Sequence, residues 1–80
     1  MTMIERVARA LAAMEYGEDV DDVWETHIPH ARAAIAAMRE PTGGMGEAAE
    51  RWADKSSYYL EMDPADVWRA MIDVALEEKP

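Results

Sequence analysis

Two histidines three residues apart, His27 and His30, stand beside the carboxylates Asp22 and Glu25. That spacing can converge on a metal ion. Pro29 interrupts the helix that would bring both rings to one side, and the chain has no other histidine and no cysteine to complete a tetrahedral set. The pair is therefore read as surface or capping histidines, whose protonation would offset local acid charge. Asp19, Asp21 and Asp22 could open a calcium loop, but that template needs Gly at its sixth position and Glu at its twelfth. Counted from Asp19, those positions hold Trp24 and His30. Gly43-Gly44-Met45-Gly46 lacks the preceding strand and the closing Gly-Lys-Ser/Thr of a phosphate cradle, so it reads as an interhelix turn. Nothing places a histidine beside Ser56 or Ser57, the only serines. No catalytic, cofactor-binding or metal site follows, and the expectation is a protein that is not an enzyme.

What remains is charge. Glu15, Glu18, Asp19, Asp21, Asp22 and Glu25 fall within eleven residues with no Lys or Arg among them. The whole chain carries 17 acidic against 8 basic side chains, a formal net charge of -9. Binding phosphates takes Lys and Arg on a common surface, so direct contact with nucleic acid is not expected. An acidic surface also disfavours anionic membranes. A basic protein is the partner this charge fits. The expected contacts are Glu18, Asp19, Asp21, Asp22 and Glu25, with Trp24 as an aromatic anchor inside the run. Glu61, Asp63 and Asp66 form a second candidate patch. Acidity kept merely for solubility is the competing explanation.

These residues need a scaffold. Eighty residues make one domain, spanning 1–80, and a chain of this size buries roughly 60–65% of its unfolded surface, which leaves a thin stability margin. Half the residues are hydrophobic, enough for a core. Ala and Met carry much of that fraction, and Phe is absent. No stretch approaches the ~20 apolar residues that span a bilayer, and the charged opening Met1-Thr2-Met3-Ile4-Glu5-Arg6 does not read as a secretory signal. The cytoplasm is the expected compartment.

Helical spacing runs through the chain and no strand-like alternation is visible. The fold class expected is all-α, a small compact bundle of four to five helices. Thr2 and Glu5 read as a capping box for a first helix that buries Met3, Ile4, Val7, Ala8, Leu11 and Met14 and stops at Gly17. Arg6 and Arg9 fall on its solvated side. Asp21 or Asp22 can cap a short helix holding Val23 and Trp24. A new helix begins near Ile28, because Pro29 is tolerated only in a first turn. It buries Ile28, Ala31, Ala34, Ile35 and Met38, turns Arg32 and Arg39 to solvent, and ends at Pro41. Thr42 caps a third helix with Met45, Ala48, Ala49 and Trp52 on one face. Ser56-Ser57-Tyr58-Tyr59 reads as a loop. Asp63-Pro64 starts the last helix. Its apolar residues Val67, Trp68, Met71, Ile72, Val74, Ala75 and Leu76 span about half its circumference. Such a helix belongs at the centre of the bundle or at a dimer seam. Trp52, Trp68 and most methionines are read as core, whereas Tyr58, Tyr59 and Trp24 are candidates for an interface.

Three segments carry a resemblance. Ile4-Glu5-Arg6-Val7-Ala8-Arg9-Ala10-Leu11-Ala12, the stretch from Ala31 to Thr42, and Val67 to Leu76 together cover about half the chain and resemble Ala-rich helical patterns in small proteins of bacteriophages and prophages. The glycines after Thr42 depart from the pattern. Among such proteins, anti-CRISPR proteins are similar in size, charge and lack of catalytic motifs. The resemblance implies an inhibitor that works stoichiometrically in the host cytoplasm. It would dock on a type I CRISPR surveillance complex and block target DNA or a recruited nuclease, as a monomer or homodimer. The alternative is a structural or assembly protein of a phage particle or gene-transfer element that self-associates through its last helix.

Overall fold

The computed structural model describes residues 1–55 and 63–80. Among the described residues four helices follow one another: α1 (Met3–Tyr16), α2 (Ile28–Ala37), α3 (Gly43–Lys55) and α4 (Pro64–Glu77), with a 3-10 turn (Trp24–His27) leading into α2. Among the described residues there is no strand. The loop expected at 56–59 lies outside the described residues, as does Glu61.

The helix starts follow their caps. The Thr2 hydroxyl accepts the Glu5 N–H at 3.2 Å, but the Glu5 carboxylate turns to Arg9 at 2.9 Å, so only half of the expected capping box forms. Thr42 Oγ1 accepts the Met45 N–H at 3.3 Å at the head of α3. Asp63 Oδ1 accepts the Ala65 N–H at 2.9 Å, with Pro64 in the first turn of α4. Pro29 sits in the first turn of α2, where its missing N–H costs little. Gly17, at φ +86°, ends α1 and donates its N–H to the Ala13 carbonyl at 3.0 Å. An L side chain there would be strained, so this glycine is required by the turn.

Two expected elements differ. Neither Asp21 nor Asp22 caps a helix. The Val20 carbonyl accepts both the Val23 and Trp24 N–H groups, at 3.0 and 2.9 Å, and the 3-10 turn has no side-chain cap. Helix α2 ends at Ala37 rather than at Pro41. The Met38 and Arg39 N–H groups there donate three residues back, to Ile35 and Ala36, which tightens the last turn and closes the helix early.

The core is built from Ile4, Ala8, Ala31, Ile35 and Ile72, with Val7, Leu11, Trp24, Ile28, Trp68, Ala75 and Leu76 half-buried around it. Ala8 and Ala31 keep the facing helices close. Ile4 and Ile35 are the largest side chains fully enclosed. A core this small cannot enclose every apolar residue at helical spacing. Met3, Met14, Ala34 and Met38 are exposed where burial was expected. So are Met45, Ala48 and Trp52 on α3, whose buried residue is Ala53. All six described methionines are exposed, none less than 42%. Arg32 and Arg39 are exposed as expected but engaged. Arg32 donates to the Leu76 carbonyl at 3.1 Å, and Arg39 pairs with Asp73.

Helix α4 is not enclosed at the centre. It packs on α2 through Ile72, Trp68, Ala75 and Leu76, with lesser contact to α3 and α1, and leaves Val67, Met71 and Val74 at the surface. The molecule measures 46 × 22 × 20 Å, with a radius of gyration of 15.7 Å.

Candidate protein-docking surface

The acidic segment is shaped by three inward anchors. Val20 and His27 are buried and Trp24 is half-buried against the core. Each side chain that turns inward forces its neighbours out. Asp21, Asp22 and Glu25 are exposed between the anchors, and Glu18 and Asp19 are exposed just before the first of them. The loop is thus a ledge whose apolar side holds it on the core and whose carboxylates face water.

Two side chains, Arg9 and His27, clamp the ledge to α1. Arg9 donates from Nε to Glu5 at 2.9 Å and from Nη1 to Asp21 at 2.8 Å. Its guanidinium lies over the Trp24 ring, 4.9 Å from the ring centre. The hydrogen bond to Asp21, then that to Glu5, raises the Arg9 pKa above its ordinary value. Arg9 was expected on a solvated face and instead joins α1 to the ledge. Nothing in local spacing signals this, because its partners Asp21 and Trp24 lie 12 and 15 residues away.

The second clamp is His27. Thr26 donates its hydroxyl proton to the Val23 carbonyl at 2.7 Å, so its oxygen can only accept from His27 Nδ1 at 3.1 Å. The Glu15 carboxylate, 3.0 Å from Nε2, also can only accept. The Tyr16 ring meets His27 edge-on, with centroids 6.0 Å apart, and His30 lies tilted at 5.8 Å. The buried ring is thus occupied by Thr26 and Glu15. Among the described residues no three His, Cys, Asp or Glu side chains form a group that could hold a metal.

These clamps sort the carboxylates. Asp21 is paired with Arg9 and Glu15 with His27. Glu18, Asp19, Asp22 and Glu25 are exposed and make no ion pair among the described residues. Trp24 is held between the core and Arg9, so much of its ring is used within the fold.

The second acidic patch is differently disposed. Asp63 caps α4 and Asp66 pairs with Arg69 at 3.1 Å. Glu61 lies outside the described residues. Beside them runs an ion-pair network that sequence reading missed. Arg39 grips Asp73 through both carboxylate oxygens, at 2.9 and 3.2 Å, and Arg69 grips Glu40 at 3.2 and 2.9 Å. These forks lower the pKa values of Asp73 and Glu40 and raise those of Arg39 and Arg69. The Trp68 indole N–H donates to the Met38 carbonyl at 2.6 Å, capping the end of α2. An apolar cleft of about 110 Å³ opens between α3 and α4, lined by Pro41, Met45, Gly46, Ala49, Pro64, Ala65 and Trp68. Among the described residues that line it there is no titratable group.

Among the described residues, no helix is long and apolar enough to cross a membrane. No protein-family model, curated protein or solved structure matches the chain.

Proposed function

We propose that this chain is a non-enzymatic binding protein that docks its acidic ledge on a basic surface of another protein. The observation that carries the reading is the row of exposed carboxylates, Glu18, Asp19, Asp22 and Glu25, without cationic partners among the described residues and held on a ledge that packs on α1 and the core. A preformed row of like charge loses little conformational freedom on binding and accelerates encounter with a positive partner. A groove built for nucleic-acid phosphates offers that complement. The resemblance to small phage proteins points to the partner: a subunit of a type I CRISPR surveillance complex in the bacterial cytoplasm. The chain would act there as an anti-CRISPR inhibitor, blocking target DNA or nuclease recruitment.

Phage plating on a host with an active type I system tests the reading. Expression of this chain should restore plaques. The triple variant Asp19→Lys, Asp22→Lys, Glu25→Lys should not, while its circular-dichroism spectrum stays helical. Plaques restored equally by that variant would remove the ledge from the mechanism. Failure of the unaltered chain in hosts bearing each type I subtype would remove the assigned partner.

A further inference from the structure

We infer that α3 is a hinged arm, which opens from α4 and unwinds as a unit while α1, α2 and α4 stay assembled. The inference does not rest on the acidic ledge, since α3 packs on α4 and on no other described element. Its hold on α4 is slight. Ala53 is the buried residue of α3, with Gly46 and Ala49 half-buried, and the rest of its thirteen residues are exposed. The apolar cleft of about 110 Å³ opens in this seam, lined from α3 by Met45, Gly46 and Ala49 and from α4 by Pro64, Ala65 and Trp68. Atoms that line such a gap forfeit the dispersion contacts they would make across it.

Polar ties divide the molecule at the same place. Among the described residues no ion pair joins α3 to another helix. Helix α2 and the residues just past it are instead tied to α4 by two forks, Arg39 on Asp73 and Arg69 on Glu40. The Trp68 indole N–H adds a bond to the Met38 carbonyl, and Arg32 one to the Leu76 carbonyl. None of these ties involves α3, so they persist when it leaves.

The sequence supplies a pivot and a weak helix. Arg69 holds Glu40, so the pivot falls beyond it, at Thr42-Gly43-Gly44. Gly43, Gly44 and Gly46 stand within the first four positions of α3, and a glycine inside a helix lowers its equilibrium roughly fivefold relative to alanine. A thirteen-residue helix is marginal by itself in water. Once released from α4, α3 therefore melts and its amides are open to exchange.

Native-state hydrogen exchange, followed amide by amide in NMR spectra, tests this. Residues 48–54 of α3 should be at least about tenfold less protected than Ala12 on α1 and Ile35 on α2, with a weaker urea dependence, because local opening uncovers less surface than global unfolding. A Cβ at Gly46 meets no atom within 4 Å, so Gly46→Ala strengthens the helix without a clash. It should raise the protection of α3 about fivefold. Ile4→Val, in the core of α1, should lower the protection of Ala12 and Ile35 about fivefold and leave that of α3 unchanged, since the opened arm leaves the core intact. Equal protection and urea dependence in α3 and α1, or α3 protection that falls with Ile4→Val by the same factor, would overturn the proposal, because α3 would then unfold only with the whole. Protection of α3 unmoved by Gly46→Ala, or exchange of residues 48–54 at the free-chain rate, would overturn it as well, since no closed helical arm would be opening.

Discussion

The loop between α1 and α2 and the outer face of α4 treat charge in opposite ways. On the loop, Arg9 and His27 engage two carboxylates, Asp21 and Glu15, and four more make no ion pair among the described residues. Around α4, Arg39 and Arg69 hold Asp73, Glu40 and Asp66, and Val67, Met71 and Val74 stand open beside them. The first region leaves its charge open to a partner, whereas the second spends most of its charge within the fold. Acidity alone therefore does not define a docking surface. The distribution of a few arginines does.

The two regions share one support, and removing it should break both. Ile35 on α2 packs against residues of α1 and α4, so Ile35→Ala should cost about 3 kcal/mol, read from urea denaturation. A loss below about 1 kcal/mol would mean that the cavity collapses and the regions are held separately. Next in size is the triple reversal on the ledge. It should weaken partner affinity about 100-fold, or about 2.7 kcal/mol, with the thermal midpoint nearly unchanged. Asp21→Ala sharpens the contrast, because Asp21 belongs to the Arg9 clamp: it should lower the thermal midpoint while leaving most of the affinity.

Asp63 offers a smaller test. Expected as a contact, it also caps α4. Asp63→Ala should cost about 1 kcal/mol of stability and leave partner affinity unchanged. Acid should separate the regions last. Glu40 and Asp73 titrate below their ordinary values of 4.5 and 3.8, held down by Arg69 and Arg39 respectively. Because their folded-state pKa values are depressed, their stabilisation is present above the ordinary range and is lost as pH falls through the folded-state values. Amide exchange in α4 should therefore accelerate below about pH 4, modestly because these pairs are exposed. No change in α4 protection there would show that the forks do not hold the helix.

Much of the scaffold was legible in sequence because its signals are local. Thr2, Thr42, Asp63-Pro64 and the Pro29 restriction each act within a turn, and each falls at a helix start in the structure. The acidic run was legible as composition. Illegible were features decided between helices. Arg9 pairs across 12 residues and Arg39 across 34, distances at which spacing carries no information. The methionines misled for another reason. Met3, Met14, Met38 and Met71 fit helical faces, but a core of alanines and isoleucines has too little volume to take them. Trp24 shows both sides: its place in the acidic run was visible, its position beneath Arg9 was not.

The central claim is that the exposed carboxylates of the ledge meet a basic partner. The most direct measurement compares two baits in lysate of CRISPR-bearing bacteria, the unaltered chain and the Asp19→Lys, Asp22→Lys, Glu25→Lys variant. Captured proteins are quantified by mass spectrometry at low and high salt. The expected result is a type I effector subunit enriched on the unaltered chain at low salt, reduced at high salt and absent from the variant. Equal capture by both baits, or capture indifferent to salt, would contradict the claim.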